Sequence, residues 1–228
     1  MIRNILFDLD DTLFDFHLAE RIAVAKTLRH LAIQPSEDIL QRFSALNLAQ
    51  WKLLEQGKLT REQVKIRRYA ILFEEIGANC SAKEAAAYYE EQLKVGHYFM
   101  DGAEALLKAL FGRYRLYLVS NGTASVQESR IASAGIAKYM QGIFISQHIG
   151  FNKPRVEFFN FCFAKIPGFK REETVIVGDS LSSDIKGGKN AGIVTVWFHP
   201  GEEELAQDIA ADYEIRHLLE LIPLLDTM

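Results

Sequence analysis

Four groups of residues have types and spacings that could do chemistry. The first is Asp8-Leu9-Asp10-Asp11-Thr12, inside the stretch FDLDDTLFDF from Phe7 to Phe16, with Asp15 close behind. The second is Ser120-Asn121-Gly122-Thr123, the third Asn152-Lys153-Pro154, and the fourth Gly178-Asp179-Ser180 followed by Asp184. Carboxylates are ionised at neutral pH when unperturbed. Two of them about 4 Å apart repel by roughly 4 kcal/mol at an effective dielectric of about 20. A gathering of such groups therefore asks for a cation, and hard oxygen ligands suit Mg²⁺. A hydroxyl, an amide and a glycine at a strand-to-helix turn present donors suited to phosphate oxygens.

Taken singly, each group has a plainer explanation. Acids at a helix N-terminus gain a few tenths of a kcal/mol from the dipole, which accounts for Asp11 or Asp15. Ser-Asn-Gly also reads as a turn with a helix cap, Asp179 as an N-cap, Asp184 as part of a solvated helix face, and Lys153 as a surface lysine. Asp8 resists such a reading, because the preceding Ile5-Leu6-Phe7 reads as a buried strand.

The elements that must position these groups follow from the apolar pattern. Short runs of β-formers lie at Ile5–Leu9, Leu116–Val119, Gly142–Ile145, Thr174–Val177 and Thr195–Phe198, with a weaker one at Tyr213–Ile215. Helical patterns separate the later runs, which predicts an α/β fold with a parallel sheet covered on both faces. Ligands of such sheets bind beyond the carboxyl ends of the strands. Asp8, Ser120 and Asp179 all fall at those ends, while Pro154 is suited to the first position of a helix.

From Asp15 to Val95 the pattern is helical. One helix spans about Asp15 to Leu31 and a second follows Ser36 as N-cap. A third and a fourth open with Thr60-Arg61-Glu62-Gln63 and Ser81-Ala82-Lys83-Glu84, both matching the capping box. Gly57 and Gly77 fit as helix stops. The expected division is a catalytic core at 1–14 and 99–228 with a helical domain inserted at 15–98. The crossings at Phe14–Phe16 and Gly96–Phe99 are candidate hinges, through which a mobile block could exclude water from a site. A rigid helical layer is the plainer alternative.

Composition excludes some classes. The chain of 228 residues carries 26 Lys and Arg against 30 Asp and Glu, a formal net charge of −4, with no basic run. A nucleic-acid polymer is disfavoured as partner. No apolar run is long enough to cross a bilayer, and no secretory signal pattern opens the chain. A cytoplasmic protein, monomer or homodimer, is the expectation. Cys80 and Cys162 have no metal or redox spacing and read as inert thiols. His97, His148 and His199 show no ligand or base spacing either.

The ordered combination Asp-x-Asp-x-Thr, Ser-Asn-Gly, Lys-Pro and Gly-Asp-Ser-x-x-x-Asp resembles the haloacid dehalogenase-like hydrolase superfamily over essentially the whole chain. The helical insertion resembles that superfamily's C1 cap of four helices. The resemblance implies a Rossmann-like, doubly wound sheet of order 5-4-1-2-3 and Mg²⁺ as cofactor. It implies Asp8 as nucleophile and Asp10 as general acid and base. Mg²⁺ would sit on the Asp8 carboxylate, the Asp10 carbonyl and Asp179. Ser120, Asn121 and Lys153 would hold phosphoryl oxygens, Asp184 would orient Lys153 or a metal-bound water, and Thr12 would brace the loop. Arg155, where relatives often carry an acid, and Asp101, where many carry proline, depart from the pattern.

The stretches FDLDDTLFDFHLAE and VSNGTASVQESRIASAGI resemble the pyrimidine 5′-nucleotidase-like branch, which implies a nucleoside monophosphate as the small phosphate ester cleaved. Phe16, His17, Trp51 and Tyr98 are candidates to face the base, since aromatic stacking suits a pyrimidine. Core packing is the plainer role for aromatics at helical spacing. Phosphoglycolate or another metabolite phosphate, a sugar phosphomutase, a metal-free 2-haloacid dehalogenase and a non-catalytic receiver domain are the alternatives. The presence of both Asp10 and Asp179 favours phosphoryl chemistry over dehalogenation.

Overall fold

The apolar runs become the strands of one parallel sheet in the computed structural model, which describes residues 1–201 and 209–228. The strands are β1 (Asn4–Phe7), β2 (Arg115–Ser120), β3 (Met140–Ile145), β4 (Thr174–Gly178), β5 (Val194–Phe198) and β6 (Tyr213–Ile215). Their order is β3-β2-β1-β4-β5-β6, which places the weak sixth run on the edge beyond β5. Helices occur at α1 (Phe16–His30), α2 (Glu37–Glu55), α3 (Arg61–Glu75), α4 (Ala82–Leu93) and α5 (Ala103–Leu110). Further along come α6 (Ala124–Ala134), α7 (Ser146–Ile149), α8 (Val156–Lys165), α9 (Lys186–Ala191) and α10 (Leu221–Leu225).

Backbone contacts divide the chain into two units. The α/β unit comprises Met1–Asp15, Phe99–Ala124 and Ala134–Met228. In it β1 lies between β2 and β4, with Phe7 opposite Leu118 on one side and Val177 on the other. Such a strand has no solvated face, which explains why its sequence is apolar without alternation. Leu6, Tyr117, Val119 and Ile176 pack against Phe158, Phe159, Cys162 and Phe163 of α8. Ile5, Phe7, Leu116 and Leu118 take the opposite face and are equally buried.

Two glycines bring α9 close to its neighbours. A Cβ on Gly188 would lie 2.6 Å from Ile176 and Thr195, and one on Gly187 would lie 2.5 Å from the Phe159 ring. Only a glycine pair lets that helix approach so closely.

The helical unit comprises Phe16–Tyr98 and Ser125–Ser133. Capping starts its helices as the sequence suggests. The Ser36 hydroxyl accepts from the Ile39 amide, and Thr60 and Gln63 satisfy each other's amides in a complete capping box. Ser81 accepts from the Glu84 amide, while the Glu84 carboxylate lies 3.7 Å from His30 Nε2 on the neighbouring helix. Gly57 and Gly77 take the left-handed conformation, φ 71° and 66°, that ends α2 and α3.

The core of this unit is built around the rings of Phe43, Tyr69 and Tyr89. Buried beside them, Asn47 donates to Glu20 at 2.6 Å and accepts from Arg68 at 2.7 Å, so one amide joins a carboxyl to a guanidinium. The expected boundary at 15–98 leaves α6 with the sheet, whereas Ser125–Ser133 group with the helices. Val126 packs into their core, and the buried Arg130 donates to the Gly96 carbonyl at 2.6 Å. Among the described residues no helix is long and apolar enough to cross a membrane.

Candidate active site

The site is built at the carboxyl ends of β1, β2 and β4. Strand β1 ends at Phe7, two residues before the Leu9 expected from the sequence, although the Asp8 amide still donates to Val177 at 2.9 Å. The chain then turns sharply. Leu13 and Phe14 both donate to the Leu9 carbonyl, the Asp11 amide donates to Phe14 at 2.7 Å, and Asp11 adopts φ 56°. Aspartate is among the few side chains that tolerate that region. The turn is why acids cluster here: the backbone folds back after Asp8 and leaves Asp10 and Asp11 half-exposed at the same edge.

Lys153 is the node of the site. It is 1% exposed, so the surface reading of this lysine does not hold. Its Nζ donates to Asp8 Oδ1, to Asp184 Oδ1 at 2.7 Å and to the Val119 carbonyl at 3.0 Å. An ammonium has three protons, and all three are directed here. Burial opposes the Lys153 charge, but Asp184 and Asp8 outweigh it and hold its pKa above the ordinary lysine range.

The lysine is placed from its main chain. The Asn121 amide donates to the Lys153 carbonyl at 2.9 Å and accepts from the Lys153 amide at 2.9 Å. The Asn121 side chain is therefore engaged in fixing the lysine loop. Helix α8 opens at Val156 with Arg155 as its cap, not at Pro154, because Asn152 to Arg155 form a turn closed by the Arg155 amide on the Asn152 carbonyl, 2.9 Å. The Lys153–Pro154 peptide is cis. The Ser120 hydroxyl is buried beside this loop and accepts from the Gly122 amide at 3.1 Å.

Asp8, Asp179 and Asp184 each offer a carboxylate oxygen within 4.8 Å of the others. Asp184, expected to act on the lysine, thus also stands in the acidic cluster, whereas the Asp10 carboxylate does not belong to it. Asp184 reaches this position from a wide π-type turn, Leu181–Ile185, that follows β4. The approach depends on Gly178: a Cβ there would lie 2.4 Å from Asp184 Cγ.

Burial is the main cause that pushes the Asp8 carboxyl up, to about 8; Lys153 opposes it, while Asp184 and Asp10 add to it. Asp179 is raised well above the usual range, again by burial first and then by Asp8 and Asp184. When ionised, the three carboxylates outnumber the one ammonium and leave an excess of negative charge in a low-dielectric place. Oxygen-only donors with surplus charge fit a small divalent cation such as Mg²⁺.

Thr12 and Trp197 fix Asp179. The Thr12 hydroxyl accepts from the Asp179 amide at 3.1 Å and donates to its carboxylate at 3.3 Å, and Trp197 Nε1 donates to its carbonyl at 2.7 Å. In the sequence Trp197 is legible only as part of a strand; the register that pairs Gly178 with Trp197 reveals the contact.

The four candidates for facing a base all belong to the helical unit. Phe16 opens α1 half-buried, with the Arg130 guanidinium 5.9 Å from its ring, and His17 follows it exposed. Trp51 lies half-buried on α2 with Arg61 5.9 Å from its ring. Tyr98 is exposed and follows α4.

Comparison with known proteins agrees with this geometry. The haloacid dehalogenase-like hydrolase family matches residues 5–198. The HAD-hydrolase YfnB of Bacillus subtilis is 37% identical over 98% of this chain and 95% of its own. A crystal structure of YfnB, bound to magnesium and described as revealing interdomain movement, superposes with a TM-score of 0.94 over 99% of both chains. The pyrimidine 5′-nucleotidase PynA of Streptococcus pneumoniae is 34% identical over 97% of this chain and 94% of its own. The pyrimidine 5′-nucleotidase YjjG of Escherichia coli is 27% identical over 97% and 96%. The chain belongs to the haloacid dehalogenase-like hydrolase family.

Proposed function

We propose that this haloacid dehalogenase-like hydrolase is a Mg²⁺-dependent phosphomonoesterase that acts through an aspartyl-phosphate on Asp8, with pyrimidine nucleoside 5′-monophosphates as its substrates. The observation that carries the reading is Lys153 Nζ shared between Asp8 and Asp184, with Asp179 in the same cluster. That set can accept a dianionic ester once its own surplus charge is neutralised. The substrate assignment rests on the likeness to PynA and YjjG over nearly the whole chain.

A carboxylate oxygen of Asp8 attacks phosphorus, and the bond from phosphorus to the ester oxygen breaks. Asp10 gives its proton to the departing alkoxide, then takes one from the water that attacks the acyl phosphate. The second attack breaks the bond between phosphorus and Asp8 and restores the carboxylate. Lys153 supplies positive charge beside the phosphoryl oxygens, Ser120 offers its hydroxyl, and the amides near Asn121 and Gly122 supply fixed dipoles. Asp8, Asp179 and the Asp10 carbonyl would hold Mg²⁺, with Asp184 beside them. Bound there, the ion would cancel carboxylate charge and polarise the phosphoryl group. The helical unit is assigned the role of a cap, with Phe16, His17, Trp51 and Tyr98 as its candidates for contact with the base.

A phosphate-release screen with Mg²⁺ over pyrimidine and purine monophosphates, sugar phosphates and phosphoglycolate tests this. The expected order puts UMP, dUMP and dTMP first. Strong release from phosphoglycolate with a flat response to nucleotides would move the assignment to a small-metabolite phosphatase.

A further inference from the structure

The peptide unit between Asp179 and Ser180 is held on both sides. Its carbonyl accepts from Trp197 Nε1 at 2.7 Å, and its amide, that of Ser180, donates to Asp184 Oδ2 at 3.1 Å. The other oxygen of Asp184 accepts from Lys153, which in turn donates to Asp8. A line of hydrogen bonds thus runs from the indole of β5 through one peptide group to Asp184, Lys153 and Asp8. A peptide whose carbonyl is engaged is a stronger donor at its amide, so the line is cooperative.

The indole is itself fixed. Trp197 is 3% exposed, and the His199 ring, two residues along the same strand, stacks on it at 3.6 Å between centroids and 17° between planes. His199 Nε2 lies 3.5 Å from Glu214 Oε2 on β6, the neighbouring strand.

We infer that Trp197 is a positioning residue for the acidic cluster: its indole N–H sets the plane of the Asp179–Ser180 peptide, and through it the carboxylates of Asp179 and Asp184. The inference rests on the metal site proposed above. Groups that orient metal ligands commonly change affinity by about 10–100-fold when removed.

Trp197→Phe keeps an aromatic ring on the strand and deletes the donor. The expected result is a Kd for Mg²⁺, by titration calorimetry, weakened at least about tenfold, together with a matching rise in the Mg²⁺ needed for half-maximal phosphate release. Far-ultraviolet circular dichroism should match wild type. Should that variant fold poorly, β-(3-benzothienyl)alanine at position 197 in a Trp51→Phe background replaces the N–H by sulfur at nearly constant shape. Affinity within twofold of the parent protein in a folded variant overturns the inference while leaving the metal site standing. Wild-type protein that takes up no Mg²⁺ in the same titration overturns the metal site and the inference together.

Discussion

At the scale of single residues, the proposed nucleophile, Asp8, is a buried carboxylate. Asp8 is pushed up to about 8, chiefly because it is buried, with Asp184 and Asp10 adding to the effect. Its folded-state pKa therefore lies above the ordinary carboxylate range. A group shifted this way contributes stability at low pH that is lost as pH rises through the folded pKa. Asp8→Asn keeps the shape and an acceptor for Lys153 but carries no charge. Turnover should fall by at least about 10³-fold, in line with removal of a covalent nucleophile. Melting of metal-free protein should show the opposite trend in stability. The variant should match wild type near pH 4 and surpass it increasingly toward pH 9. A variant that kept near-normal activity, or that lost stability relative to wild type as pH rose, would show that Asp8 has another role.

At the scale of elements, two adjacent contacts of the same kind separate chemistry from packing. A methyl on Gly178 would strike Asp184 at 2.4 Å, whereas one on Gly188 would strike Ile176 and Thr195 at 2.6 Å. Gly178→Ala should therefore cost at least about a hundredfold in kcat, because it expels the acid that orients Lys153. Gly188→Ala should cost about 1–3 kcal/mol of stability through overpacking. Its kcat, measured well below the melting temperature, should stay within about threefold of wild type. Equal loss of kcat in the two variants would contradict the separation. The same contrast shows what was legible in the sequence. Ile5–Phe7 and Val175–Val177 declare themselves as strands because both faces are buried, and Ser36 and Thr60 as caps because their partners lie three residues away. The role of Gly178, the grip of Asn121 on Lys153 and the contact of Trp197 with Asp179 bridge 6, 32 and 18 positions. Such contacts depend on strand register and turn shape, which no local pattern encodes. Pro154 departs from the expected helix start for a related reason: the Asn152–Arg155 turn, held by Asn121, takes precedence over proline's preference for that position.

At the scale of the whole molecule, the proposed metal site would make folding, protons and Mg²⁺ compete for one place. Asp8 and Asp179 are both raised by burial and by neighbouring carboxylates, so the metal-free fold favours protons on them. At acid pH a proton must leave before a cation can bind, and at alkaline pH the cation meets carboxylates already ionised. A ligand that binds only the folded state stabilises by about 2.7 kcal/mol at a hundredfold excess over its Kd. In a chain of this size that amounts to about 5–10 °C in Tm. Because Kd tightens as the competing protons are lost, the gain in Tm on adding a fixed concentration of Mg²⁺ should grow steadily from pH 6 to pH 8.5. Calorimetric titration at pH 7 in two buffers of different ionisation enthalpy should report net proton release on binding. Asp179→Asn, which removes one of the two raised carboxyls, should reduce both the thermal gain and the number of protons released. A thermal gain that stays constant or shrinks as pH rises would mean that Mg²⁺ binds somewhere other than among Asp8, Asp179 and Asp184.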